Sequence, residues 1–267
     1  MDSKVIKRKT ALITGATRGI GYELTKLFAS DSYNLVLVAR DKHKLNEIKE
    51  SFSKKYNIEI LIIEKDLSVP NAANEIFNET LEKQIIVDVL VNNAGIGDFG
   101  KFHTKNLSKI TDILQINIIS LTELTRLFID TMVTKKEGKI LNISSMAAFQ
   151  PGPYMAVYYA SKAYVQSFSE AITSELKGTG VIVTTLCPGP TKSGFQHKVG
   201  SEGSKLSKYN LLCSSEEVAK SGYKALQSGK EVEIPGFFNY SLIRTAKIIP
   251  RKTKAQIISK LQILNRN

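Results

Sequence analysis

The feature that most constrains this chain is an alternation. Short β-rich apolar segments fall at 10–14 (TALIT), 34–39 (NLVLVA), 58–63 (IEILII), 87–91 (VDVLV), 139–143 (KILNI) and 181–186 (VIVTTL), and a further short strand is expected at 231–234. Between them Leu24, Leu27 and Phe28, and then Ile113, Ile116, Leu121, Leu124 and Phe128, recur at helical spacing. Strands that are apolar on both faces need cover on both sides, which is the setting of a parallel sheet between helix layers. Right-handed crossovers then give an α/β, doubly wound sheet.

A chain of 267 residues, 42% of them hydrophobic, can bury a sizeable core and lies near the upper end for one domain, so a single domain over 1–267 is expected. Cys187 and Cys213 have neither metal-ligand spacing nor the density of a disulfide scaffold, which points to a reducing, cytoplasmic setting. His43, His103 and His197 are far apart in sequence, and no metal is expected. The apolar stretch after the basic N-terminus breaks at Gly15, too early for a signal-peptide core, and no run approaches the ~20 apolar residues of a membrane span. The formal charge of +12 reads as a solvated surface, because the lysines are spread and no aromatic-studded basic ribbon appears. No nucleic-acid partner is expected. Contact with an anionic membrane and steering of a phosphate-bearing ligand stay open.

Two constellations carry chemistry. Gly15, Gly19 and Gly21 follow the first strand and open a helix, the context in which backbone can approach a pyrophosphate and helix N–H groups can face it. Tyr158 and Lys162 are four apart, so one helix face carries both a phenol and an ammonium. A nearby positive charge favours the phenolate, moving a group that ordinarily titrates near ~10 toward the range of proton transfer. Ser145, thirteen residues upstream, adds a hydroxyl.

These residues, with Asn92-Asn93-Ala94-Gly95, Asn117 and Pro188-Gly189, occur in the order found in the short-chain dehydrogenase/reductase family, which the chain resembles from about residue 10 to about residue 235. The resemblance implies a single Rossmann-like domain with a seven-stranded parallel sheet. It implies that Ser145 polarises a carbonyl, Tyr158 moves the proton, Lys162 lowers the pKa of Tyr158 and holds the nicotinamide ribose, and Asn117 anchors a water. Cofactor contacts are implied for Gly15, Thr17, Arg18, Gly19, Ile20, Gly21, Asn92, Ala94, Gly95, Pro188, Gly189 and Thr191, besides Tyr158 and Lys162. Asp66 and Leu67 match the adenine contact. Ser193 stands where the family usually has threonine and keeps the hydroxyl.

Charge points to NADP(H): strand two ends Val38-Ala39-Arg40, and Arg18 with Arg40 offers two guanidinium groups to a 2′-phosphate. The competing reading returns Asp41 to the ribose 2′-hydroxyl, as an NAD enzyme would. The glycine-, serine- and lysine-rich stretch 190–215 reads as a substrate lid. The tail 236–267 reads as two amphipathic helices separated by Pro250, packed on their own domain or else walling an apolar pocket, meeting a membrane or another subunit. This ending resembles that of a bacterial branch acting on fatty-acyl or otherwise unassigned carbonyl substrates.

The expected function is an NADP(H)-dependent oxidoreductase moving hydride between nicotinamide and a small-molecule carbonyl or alcohol, such as a 3-oxoacyl compound or other apolar ketone. The resemblance implies a homodimer or homotetramer paired through the long helices carrying Asn117 and Tyr158. The alternatives are a non-catalytic NADP(H)-binding regulatory protein, which loss of Tyr158 or Lys162 would have signalled, and a basic peripheral-membrane protein.

Overall fold

In the computed structural model, which describes residues 8–201, 213–246 and 248–263, the alternation closes into a seven-stranded parallel sheet. In chain order the elements are β1 (Thr10–Thr14), α1 (Gly19–Ser30), β2 (Asn34–Ala39), α2 (Lys42–Tyr56), β3 (Ile60–Glu64), α3 (Ala72–Glu82) and β4 (Val89–Asn92). Then come α4 (Leu107–Leu114), α5 (Leu121–Lys135), β5 (Gly138–Ile143), α6 (Ala156–Glu175) and β6 (Val181–Leu186). A two-stranded pair, β7 (Thr191–Lys192) and β8 (Cys213–Ser214), brackets α7 (Phe195–Val199). The chain continues through α8 (Ser215–Gln227) and β9 (Val232–Glu233) to α9 (Phe237–Ala246) and α10 (Arg251–Gln262). Within the stretch 190–215, residues 202–212 lie outside the described residues.

The strand order β3-β2-β1-β4-β5-β6-β9 reverses its direction of winding between β1 and β4. That reversal opens a crevice at the carboxyl ends of the central strands, where α/β sheets bind ligands. Successive strand residues point to opposite faces, so each strand feeds two cores. Ala11, Ile13, Leu35 and Leu37 pack with Leu24 and Phe28 of α1, Leu45 of α2 and Val218 of α8. Leu12, Val36, Val38 and Leu90 pack with Ile76 of α3 and Leu124 and Phe128 of α5. Each fully buried Leu, Ile or Phe contributes about 1.5–3 kcal/mol over exposure, which makes the sheet a rigid platform for the loops above it.

Two strands start two residues later than expected. β3 starts at Ile60 rather than at 58, because Asn57 takes a left-handed conformation (φ +51°) to end α2 and Ile58 spans the connection. β4 starts at Val89 rather than at 87, and Asp88 just before it accepts a 2.8 Å hydrogen bond from the Thr10 amide, tying the entry of β4 to β1.

Candidate active site

The turn after β1 is built from glycine for steric reasons. Gly15 (φ +66°) and Gly19 (φ +56°) occupy the left-handed region. At Gly21 a side-chain carbon would sit 2.3 Å from the Gly15 carbonyl oxygen, so only glycine lets α1 start this close to β1. Arg18 is the N-cap residue of α1 but its side chain makes no capping bond. The first N–H groups of α1 are therefore open toward the crevice, and the cradle fits a pyrophosphate.

Asn93 braces this turn. Its side-chain amide donates to the carbonyls of Thr14 (2.8 Å) and Gly15 (3.2 Å), and it lines the cavity together with Ala94 and Gly95. Asn92, expected among the cofactor contacts, turns the other way: its amide donates to Thr125 Oγ1 (3.0 Å) and Asn142 Oδ1 (2.9 Å), joining β4 to β5 and α5 beneath the site. Gly21 also acts through packing and does not line the cavity. Gly15, Thr17, Arg18, Gly19, Ile20, Arg40, Asp66, Leu67, Pro188, Gly189 and Thr191 all do.

The opposite wall carries Ser145, Tyr158 and Lys162. Ser145 leaves β5 and caps a short 3-10 turn, accepting from the Ala147 amide at 3.1 Å. Tyr158 and Lys162 lie one turn apart on α6, as their spacing requires. The Lys162 ammonium is buried, donates to the Ile143 carbonyl at 2.8 Å and lies 5.9 Å from the centre of the Tyr158 ring. Asn117 sits within a π-helical turn (Gln115–Ser120) between α4 and α5, an irregularity frequent at functional sites. Its side chain accepts from the Ile96 amide (3.0 Å) and donates to the Ile96 carbonyl (2.9 Å) and Ser161 Oγ (3.0 Å). A side-chain carbon on Gly95 would fall 3.4 Å from Lys162 Nζ and 3.5 Å from Asn117 Oδ1, so these three residues meet at one point.

The electrostatics differ from the expectation that Lys162 lowers the pKa of Tyr158. Burial dominates, pushing the Tyr158 phenol up to about 12, with the Ser145 hydroxyl acting in the opposite sense. The same burial pushes Lys162 down to about 8. Seclusion from water thus moves both groups toward their neutral forms.

At the far end of the crevice Arg18 and Arg40 are exposed, and Arg40 approaches Asp66 at 3.4 Å. Asp66 is also held by Ser68, whose amide (2.9 Å) and hydroxyl (2.8 Å) donate to it. Burial raises its pKa, but these donors and Arg40 outweigh burial and leave it below the ordinary value. The Asp41 carboxylate accepts from the Lys44 amide at 3.1 Å as the N-cap of α2.

Both ends open into one cavity of about 880 Å³. Beyond Tyr158 its walls are apolar: Phe99, Met155 and Phe195 contribute, and so do Leu242 and Ile243 of α9 and Ile257, Ile258 and Leu261 of α10. The tail helices therefore pack on their own domain and wall the pocket at once. Phe195 tilts against Tyr158 at 5.2 Å between ring centres. The walling of an apolar pocket was among the readings open for the tail, whereas Asn93, Phe99, Met155 and Phe195 were not expected at the site: the last three are ordinary apolar positions that tertiary packing alone gathers, and Asn93 lies within the Asn92-Asn93-Ala94-Gly95 motif.

Residues 9–203 match the family model for short chain dehydrogenases. The chain is 32% identical over 244 residues to the hydroxysteroid dehydrogenase-like protein 1 of Gallus gallus, covering 89% of this chain and 71% of that protein. It is 30% identical over 254 residues to the very-long-chain 3-oxoacyl-CoA reductase of Mus musculus, covering 93% and 78%. A solved short-chain dehydrogenase from Sphingobium yanoikuyae in complex with NADPH superposes with a TM-score of 0.81 at 25% identity, over 97% of this chain and 98% of that one. Placement in a bacterial branch is not borne out, since animal proteins stand among these relatives. The chain belongs to the short-chain dehydrogenase/reductase family of oxidoreductases.

Proposed function

We propose that this chain is an NADP(H)-dependent reductase of apolar ketones, 3-oxoacyl thioesters among them. The observation that carries the reading is the single cavity joining a glycine cradle to a buried Ser145-Tyr158-Lys162 wall and continuing into an apolar chamber. A bound nicotinamide would supply the hydride. Ser145 and Tyr158 would hold the carbonyl oxygen by their hydroxyls, and Tyr158 would give its proton to the alkoxide as charge develops there. A phenol held near 12 is protonated throughout the neutral range, which suits the reductive direction. Lys162, at about 8, is matched to returning that proton, with Asn117 beside it.

The phosphate preference rests on Arg18 and Arg40, which both line the cavity; Asp41 lines it too and holds the Lys44 amide through one carboxylate oxygen. The Arg40–Asp66 pair is exposed and weak, so it yields to a phosphate at little cost. Residues 190–201 would act as the described part of a lid, bringing Phe195 and Val199 over the chamber. A cytoplasmic-facing, homo-oligomeric protein fits the free thiols and the exposed apolar residues along α4 to α6. No helix among the described residues is long and apolar enough to cross a membrane.

The test is a panel of 3-oxoacyl thioesters, steroids and small ketones read by NADPH absorbance, with Tyr158→Phe alongside. Wild type should bind NADPH more tightly than NADH, and Arg40→Asp should weaken NADPH about 10- to 100-fold by removing a charge-assisted contact. Tyr158→Phe should lose at least about 100-fold in kcat while keeping NADPH affinity. Retained turnover in Tyr158→Phe would overturn the assigned acid, and tighter NADH binding would overturn the cofactor.

A further inference from the structure

The last acidic residue of the chain is Glu233; from 234 to 267 there are seven lysines and arginines and no Asp or Glu. More than half of the net charge of +12 is thus carried by residues 234–267, within which α9 and α10 lie. The same segment concentrates exposed apolar side chains. Phe237 is 87% exposed and Ile248 is 88% exposed, the highest values among the large apolar side chains described.

The arrangement is directional. On α9, Asn239 and Ile243 turn inward and are buried, while Phe237, Tyr240 and Arg244 share the outer face, the Arg244 guanidinium lying 5.0 Å over the Tyr240 ring. Phe238 and Leu242 lie between these faces: both line the cavity, yet they remain 54% and 48% exposed. On α10, Lys254, Ile257 and Lys260 share a face, and Ile257, 44% exposed, also lines the cavity. The mouth of the apolar chamber is therefore rimmed by apolar side chains that continue outward to Phe237 and Ile248, among cations. Among the described residues, Arg244, Arg251, Lys252, Lys254 and Lys260 make no salt bridge.

We propose that this face of α9 and α10 docks on an anionic lipid bilayer, with Phe237 and Ile248 entering the interface and the basic side chains meeting lipid headgroups. Helices with an apolar edge and a Lys/Arg-rich polar edge lie in membrane interfaces, and each cation near an anionic surface adds to the attraction. Charge selects this occupant over a second copy of the chain, since a two-fold pairing of the face would set cation against cation with no carboxylate between them. Given the proposed ketone reduction, the docked face would admit apolar substrate from the bilayer without passage through water.

The experiment is co-sedimentation of the full chain with vesicles of phosphatidylcholine, with and without phosphatidylserine, at physiological ionic strength. Binding should be at least about tenfold stronger with phosphatidylserine, should weaken with added salt, and should be lost in Phe237→Asp/Ile248→Asp. Both of those side chains stand in solvent, so the variant should melt as wild type does. Ketone turnover in detergent-free buffer is measured in parallel, so failure of docking and failure of the reductase reading are separately visible. Equal binding by wild type and the double variant, or no binding to phosphatidylserine vesicles, overturns the proposal. A halved mass of the double variant in light scattering would assign the face to a second copy instead, and equally overturns it.

Discussion

Lys162 is held where an ammonium is least at home, and its stability ledger can be read by pH. Unfolded, it titrates at its ordinary 10.5; folded, burial moves it to about 8. Below pH 8 the folded state bears the full cost of a buried charge, and that cost lifts between pH 8 and 10.5, where the unfolded chain binds the extra proton. The displacement from 10.5 to about 8 corresponds to about 3 kcal/mol. Lys162→Met removes the charge but also the donor to the Ile143 carbonyl, a loss of about 1 kcal/mol. At pH 7 the variant should be inactive yet roughly 2 kcal/mol more stable in urea unfolding, with the advantage gone before pH 10.5, where the missing donor should leave it about 1 kcal/mol less stable. Parallel stability curves for the two proteins would refute the burial argument. Tyr158, raised by burial in both, drops out of the comparison. The identity of this lysine was legible from its spacing to Tyr158, whereas its pKa was not, because burial is a tertiary property. The Asn92 and Asn93 pair makes the same point at finer grain. Consecutive residues leaving a strand point to opposite sides, so two adjacent asparagines divide into one that ties the sheet and one that braces the glycine turn.

Among the elements, the strands of the seven-stranded sheet were readable to within two residues from their apolar runs, whereas the two-residue pair β7 and β8 lies in a stretch read as a lid and carries no apolar run to mark it. The π-helical turn carrying Asn117 was not readable, because its residues carry the same apolar period as the helices that precede and follow it. The tail helices were legible as helices from their period, and walling a pocket was one of several readings their apolar faces left open. One bond latches α10 to the site. Gln262 Nε2 donates to the Tyr159 hydroxyl at 2.6 Å, and both residues are buried. Gln262→Leu leaves that hydroxyl without its partner, a cost of about 1–3 kcal/mol that falls mainly on the last helix. Amide exchange along α10 should then quicken by about 5- to 100-fold while α5 and α6 keep their protection. Uniform quickening, or none, would mean that α10 is held by its apolar contacts alone.

Among the described residues, two groups of exposed apolar side chains differ in their chemistry. One is the basic tail. The other lies along α4 to α6, where Leu114, Ile119 and Tyr164 are exposed. There Tyr164 stacks on Phe168 at 5.8 Å and its hydroxyl bonds Thr122 Oγ1 at 3.0 Å, so the ring is fixed before any partner arrives. A preset aromatic at the junction of two helices loses little freedom on association, which favours pairing of two chains through this face. Unlike the tail, the surroundings carry both signs of charge, with Glu123 and Arg126 nearby on α5, so a two-fold pairing need not oppose like charges. Light scattering of wild type should therefore give a mass of two chains or a multiple of two, and melting should depend on protein concentration. Tyr164→Arg, exposed and remote from Tyr158 by nearly two helical turns, should give single or half-sized assemblies with coenzyme affinity unchanged. Phe237→Asp/Ile248→Asp should leave the mass as it was while abolishing vesicle binding. A single-chain mass for wild type at micromolar concentration would remove the pairing.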